Sequence, residues 1–212
     1  MLTGSISYRL AKVSDVQSIA SLHWESSRKQ PGSFMFKLGY LFLVRYYKCI
    51  LNEKQSVVLC AEDEEDNLIG FVSGSINNSE RINTLQTNKI SLLLAAVPQI
   101  VMNPALIKDI FSRYYSGSVD SGDGYILQDG PHEDFWAWKE SYKSGNESIL
   151  LHLAWLKIMN ALRASHVRGE VDDENTLVLK IHKFLGAKII KEYTTPDHRK
   201  RYVFEYDLSK IE

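Results

Sequence analysis

The chain has 212 residues, 44% hydrophobic and 24% charged, which is enough apolar material for one sizeable core and excludes a disordered or fibrous chain. Its 25 Lys and Arg nearly cancel 26 Asp and Glu, for a formal charge of −1, so no global electrostatic pull toward nucleic acid follows. Two cysteines, Cys49 and Cys60, belong to no CxxC or Cys/His cluster; this excludes a disulfide framework and fits a reducing compartment.

Met1 to Ser7 lacks a basic segment followed by an apolar one, so no secretory signal is expected. The longest apolar run, Ile90 to Met102, contains Pro98 and Gln99 and falls short of the roughly 20 residues that cross a bilayer. The expectation is a soluble, cytoplasmic chain without stable membrane insertion. The basic run His198-Arg199-Lys200-Arg201 reads as a solvated turn before the last strand.

Tyr8-Arg9-Leu10 begins a short strand. Ser14-Asp15, then Val16, Ile19, Ala20 and Leu22-His23, predict a capped amphipathic helix. After Pro31-Gly32, the run Phe34 to Leu51 carries aromatic and leucine residues at helical spacing. Ser56 to Glu62 and Leu68 to Ile76, joined by the acidic turn Asp63 to Asn67, predict a hairpin of buried strands. Residues 78–121 read as a helical and loop insertion, whose apolar part from Ile90 to Phe111 suits an acceptor lid, internal packing or a dimer surface better than a membrane-facing helix pair. It ends in the linker-like Ser116 to Gly124.

A strand at Glu133 to Trp138 follows, then a Gly-containing loop and a helix from Ser148 to Ala164. Next come a strand at Val167 to Val171 and a helix from Asn175 to Leu185 closed by Gly186. Two strands, Ala187 to Tyr193 and Arg201 to Leu208, end the chain. This order predicts an α/β (α+β) fold: a single mixed, mostly antiparallel sheet flanked by helices, forming one domain over residues 1–212.

Chemistry concentrates between Tyr142 and Ala187. The loop Lys143-Ser144-Gly145-Asn146-Glu147-Ser148 turns from a strand into a helix N-terminus, where unpaired N–H groups and a positive dipole end can receive a pyrophosphate. Gly145 permits close backbone approach, Ser148 offers a hydroxyl and Lys143 a cation. Thirty residues after Gly145 stands Asn175, with Val178, His182 and Gly186 at offsets of three, seven and eleven.

This layout resembles the Gcn5-related N-acetyltransferase (GNAT) superfamily. That family's pyrophosphate loop reads (Arg/Gln)-x-x-Gly-x-(Gly/Ala), here Tyr142-Lys143-Ser144-Gly145-Asn146-Glu147. Its later motif reads Asn-x-x-Ala-x-x-x-Tyr-x-x-x-Gly-Phe, here Asn175 through Val178, His182 and Gly186 to Ala187. The segment Phe36 to Tyr47 and the long insertion resemble a subgroup associated with bacterial polysaccharide and cell-envelope gene clusters.

The resemblance implies a GNAT-like acyl-CoA N-acyltransferase fold with acetyl-CoA as co-substrate and no metal. Acyl-CoA would lie in a V-shaped opening between the strands at Phe135 to Trp138 and Val167 to Val171. The pantetheine would pair with backbone groups of Trp136, Ala137 and Trp138, and the N–H groups of Lys143 to Ser148 would hold the pyrophosphate. Asn175 would hydrogen-bond near the pantetheine, and residue 182 would face the thioester sulfur.

Four positions depart from the family pattern: Tyr142 for Arg or Gln, Glu147 for Gly or Ala, His182 for the Tyr that protonates the thiolate, and Ala187 for Phe. Amide formation needs a neutral amine and a proton for the CoA sulfur. His182 is the candidate acid. Glu140 is the first candidate base, His132 and Glu133 the next, and His23 lies where acceptors bind in the family or else packs in the core. The acceptor implied is a small primary amine, amino sugars included. A homodimer is left open, and the alternative is a catalytically degenerate acyl-CoA-binding or protein-interaction module.

Overall fold

In the computed structural model, which describes residues 5–28, 33–116, 129–142, 146–195 and 199–211, a short strand β1 (Ser7–Leu10) leads through a 3-10 turn into helix α1 (Val16–Ser27). The cap forms one turn earlier than expected. The Asp15 carboxylate accepts the Lys12 N–H at 2.6 Å and an Arg9 guanidinium N–H at 2.7 Å, leaving α1 without a side-chain cap.

The aromatic run after residue 33 is two helices, α2 (Phe34–Leu38) and α3 (Tyr40–Ile50). They break at Gly39, whose φ of 88° is open to glycine at little cost; a Cβ there would also meet the Gln99 side chain. The expected hairpin follows as β2 (Ser56–Glu62) and β3 (Leu68–Ser75), paired antiparallel and buried nearly throughout. The insertion comprises α4 (Asn78–Thr87), α5 (Lys89–Met102) and α6 (Leu106–Ser116). Leu38, Ala96 and Leu106 form a small core of their own where α5 and α6 meet α2. The linker-like segment beyond Ser116 lies outside the described residues.

The second half runs β4 (His132–Trp138), α7 (Glu147–Ala161), β5 (His166–Asp172), α8 (Thr176–Phe184), β6 (Lys188–Thr194) and β7 (Lys200–Asp207). Gly186, at φ 93°, ends α8 as its position suggested. The seven strands form one mixed sheet in the order β1-β2-β3-β4-β5-β7-β6, antiparallel except where β4 meets β5. One core packs the sheet on α7, through Leu151, Trp155, Leu156 and Met159 with Val167, Phe204 and Tyr206. The other packs the opposite face on α1 and α3, through Ile19, Leu43, Tyr47, Ile50 and Phe71. Among the described residues no helix is long and apolar enough to cross a membrane.

Candidate functional site

The one parallel junction of the sheet is where a cleft opens. β4 and β5 share a single partner pair, His132 with Arg168, backed by the Arg168 N–H donating to the Pro131 carbonyl at 3.1 Å. Beyond it the strands diverge, so the β5-facing edge of β4 has no ladder partner in β5, and unpaired backbone groups in a sheet attract an extended ligand. A cavity of about 370 Å³ fills this opening. Glu133, Phe135 and Trp136 line it from β4, Val171 and Asp172 from β5, and Asn175, Val178 and His182 from the start and inner face of α8.

A β-bulge decides which side chains look into the cleft. Ser73 pairs with Phe135, but its neighbour Gly74 pairs with Glu133, so Asp134 is the extra residue. A bulge shifts the alternation of side chains by one. Phe135 and Ala137 face the core of α1 and α3, while Trp136 and Trp138 face α7. Glu133, two residues from Phe135, would share its face in a regular strand; it sits instead on the α7 side, accepting a hydrogen bond from His152 Nε2 at 2.9 Å. Asp134 turns to the other side, where its Oδ1 lies 2.8 Å from His132 Nδ1 and 3.2 Å from the Arg81 guanidinium; its Oδ2 is buried without a partner.

His182 forms the floor. It is 2% exposed, stacks on Phe204 with ring centroids 4.0 Å apart, and its Nδ1 lies 2.7 Å from the Tyr206 hydroxyl. Gly169 on β5 makes room for that stack, since a Cβ there would sit 2.4 Å from Phe204 Cζ. The His152 ring lies 5.3 Å from His182 and 4.9 Å from Trp136. Two buried polar atoms of this group have no partner, His152 Nδ1 and Trp136 Nε1.

Burial lowers the His182 imidazole pKa, against a weaker opposing pull from Glu133, so His182 is predominantly neutral near pH 7. Burial works to raise the Glu133 carboxyl, but His152 and His182 overcome it and hold the group below its ordinary value. Burial also suppresses ionisation of Tyr206. Among the described residues, Glu133, His152 and His182 bring potential ligand atoms within 4.8 Å of one another, close enough for a metal ion in principle. In the structure Glu133 is hydrogen-bonded to His152, and His182 to Tyr206.

The sequence candidates separate accordingly. Trp136, Asn175 and His182 come together at the cleft, and so do His132 and Glu133. Trp138 shares the face of Trp136 but is committed to packing: its ring fills the space left by Gly70, and its Nε1 donates to the Tyr142 carbonyl at 2.7 Å. Ala137 packs in the α1/α3 core, leaving its backbone for the β4 edge. Glu140 lies exposed in the turn after β4, outside the cleft lining. His23 belongs to the α1/α3 core, 2.6 Å from the Tyr47 hydroxyl.

Of the predicted pyrophosphate loop, Lys143, Ser144 and Gly145 lie outside the described residues. Its flanks are visible. The Tyr142 hydroxyl donates to the Asp63 carboxylate, tying the start of the loop to the β2–β3 turn. Asn146 provides no side-chain cap to α7, so the first N–H groups at Glu147 and Ser148 are not taken by it. Likewise Asn175, at the N-terminus of α8, makes no side-chain cap bond and lines the cleft.

His152 and Tyr206 escaped the sequence-based search. The available signal was a histidine on the buried stripe of α7, between Leu151 and Trp155, where a polar residue requires a partner.

A mixed sheet whose fourth and fifth strands run parallel and part beside a helix N-terminus is the fold of the Gcn5-related N-acetyltransferases. Solved structures share it along nearly the whole chain. An N-acetyltransferase from Staphylococcus aureus Mu50 superposes with a TM-score of 0.60 at 12% identity, covering 96% of this chain and 99% of its own. The NAA60 protein of Arabidopsis thaliana, in complex with acetyl-CoA, gives 0.57 at 16% identity, with 95% and 98% covered. The PaiA N-acetyltransferase of Thermoplasma acidophilum, in complex with coenzyme A, gives 0.57 at 14% identity, with 96% and 99% covered. No protein-family model matches the sequence, and no curated protein matches it.

Proposed function

We propose that residues 1–212 form one acyl-CoA-dependent N-acetyltransferase domain that acetylates a primary amine of a small acceptor, amino sugars being the acceptor class suggested by the sequence resemblance. The observation that carries this reading is the parting of β4 from β5 over a buried His182, with an unpartnered β4 edge on one side and Asn175 on the other. A homodimer is part of the proposal.

The residues present suit acetyl-CoA. An extended pantetheine pairs with the free backbone edge at Trp136 to Trp138, and the N-terminus of α7, at Asn146 to Ser148, offers N–H groups to phosphate oxygens, with Lys143 to Gly145 completing the loop. Acetyl-CoA supplies the activated acyl group. Nitrogen attack forms the C–N bond and breaks the C–S bond, so one proton must leave the amine and one must reach the sulfur.

His182 is assigned the second task. The donor is the imidazolium form of His182, which gives its Nε2 proton to the sulfur and is left as neutral imidazole, while Tyr206 keeps its own proton and holds Nδ1. Glu133 is assigned the first in preference to Glu140, because Glu133 lines the cleft and Glu140 does not, and His152 orients it. A charge-bearing proton acceptor beside a low-polarity floor is worth about 10²–10⁴ in rate.

Isothermal titration with acetyl-CoA tests the reading, with binding in the micromolar to millimolar range expected. No heat at millimolar ligand sinks it. Release of free thiol across a panel of amines then tests turnover. Binding without turnover on any amine supports the degenerate module, to which Glu147 in the first turn of α7 lends weight by opposing a pyrophosphate.

A further inference from the structure

The insertion carries an apolar face that no other element among the described residues covers. Between Lys89 and Lys108 the sequence has no charged residue. One stripe of α5, with Leu92 and Ala96, packs inward. The opposite stripe, Ile90, Leu93, Leu94, Val97 and Val101, recurs at helical spacing and points to solvent, exposed by 44–73%. Met102 at 78%, with Ile107 of α6, extends it.

The size of this face indicates what covers it. At roughly 150–200 Å² per fully exposed side chain, these seven present on the order of 700 Å² of apolar surface. A typical monomer's largest patch is about 300–600 Å², whereas one partner in a standard stable interface contributes about 800 Å². The alternatives fit less well. A helix lying on a membrane pairs its apolar stripe with a cationic polar face, but the other side of α5 is packed on the protein and its one basic residue is Lys89.

We propose that α5 and α6 form the interface of a two-fold homodimer, with the two α5 helices packed antiparallel. An uncharged stripe is self-complementary, since no like charges meet across the axis. The antiparallel arrangement also brings Lys89 of each copy to the C-terminal end of α5 in the other, where a cation is favoured by the helix dipole. The proposal gives the homodimer of the proposed function its interface, and its test is separable from that of the acetyltransferase chemistry.

Sedimentation velocity of the full chain from about 1 to 100 μM is the test. The expected species has twice the 24.2 kDa chain mass. The double substitution Leu94→Glu/Val101→Glu changes exposed positions only and should weaken association at least about 100-fold with an unchanged circular dichroism spectrum. Should that variant misfold, Val97→Cys with a short bis-maleimide reports the same geometry, because Cys49 and Cys60 are buried; a cross-linked dimer is expected. The proposal falls if the wild type stays monomeric at 100 μM, if the folded double variant stays dimeric, or if Val97→Cys fails to cross-link. It also falls if a monomeric wild type instead sediments with phosphatidylcholine/phosphatidylglycerol vesicles.

Discussion

Replacing His182 by Phe separates its chemical role from its packing role. The ring is 2% exposed and stacked on Phe204, so Phe fills nearly the same space. What is lost is the hydrogen bond with Tyr206, whose side chain is fully buried. An unpaired buried hydroxyl costs about 1–3 kcal/mol, whereas removing both partners is nearly neutral. His182→Phe should therefore lose about 1–3 kcal/mol in urea unfolding, and His182→Phe/Tyr206→Phe should recover most of it. Activity should behave differently. If His182 delivers the proton to sulfur, both variants lose about 10²–10⁴ in kcat, measured as thiol release at saturating acetyl-CoA. Activity that returns together with stability in the double variant, or never falls, would refute a role for His182 in proton transfer.

Three further expectations follow from the geometry. Burial pushes the His23 imidazole down to about 4, so between pH 6.5 and 4 the unfolded chain binds the proton that the folded chain refuses, and stability falls as the medium is acidified through that window. From pH 7.5 to 5 the loss should be about 2 kcal/mol by urea unfolding, shrinking in His23→Gln; a flat profile would count against it. Arg81→Ala should cost about 3–5 kcal/mol in the same assay, because it strands the Asp134 carboxylate, 3% exposed, away from its cation; a loss under 1 kcal/mol would show the pair to be solvent-screened. Gly169→Ala should cost about 1–3 kcal/mol by overpacking against Phe204. It should also depress kcat by displacing the ring under His182, so an unchanged melting temperature and kcat would contradict the packing described.

Much of the fold was legible in the residues, because local chemistry specifies it. The hairpin strands are unbroken β-branched and apolar runs, and Gly186 closes α8 where a positive φ is needed. The spacing from Asn175 to His182 sets both on the side of α8 that lines the cleft, since seven residues are two helical turns. Gly39 was the local signal underused: it splits an aromatic run whose periodicity alone suggested one helix.

The base candidates needed the tertiary structure. Glu140 stands nearest the loop in sequence, but the chain leaves the sheet before it and places it in an exposed turn outside the cleft lining. Glu133 is aimed into the cleft by a bulge at Asp134, an irregularity that exists only through pairing with β3 and that no strand pattern displays. His152 and Tyr206 reach His182 from α7 and β7, at separations of 30 and 24 residues in the chain. The sequence by itself determined the order of elements and put a histidine at the position facing the cleft. Only the tertiary structure gathered Glu133, His152 and Tyr206 around it, because register, bulge and inter-element packing are long-range properties that local periodicity does not encode.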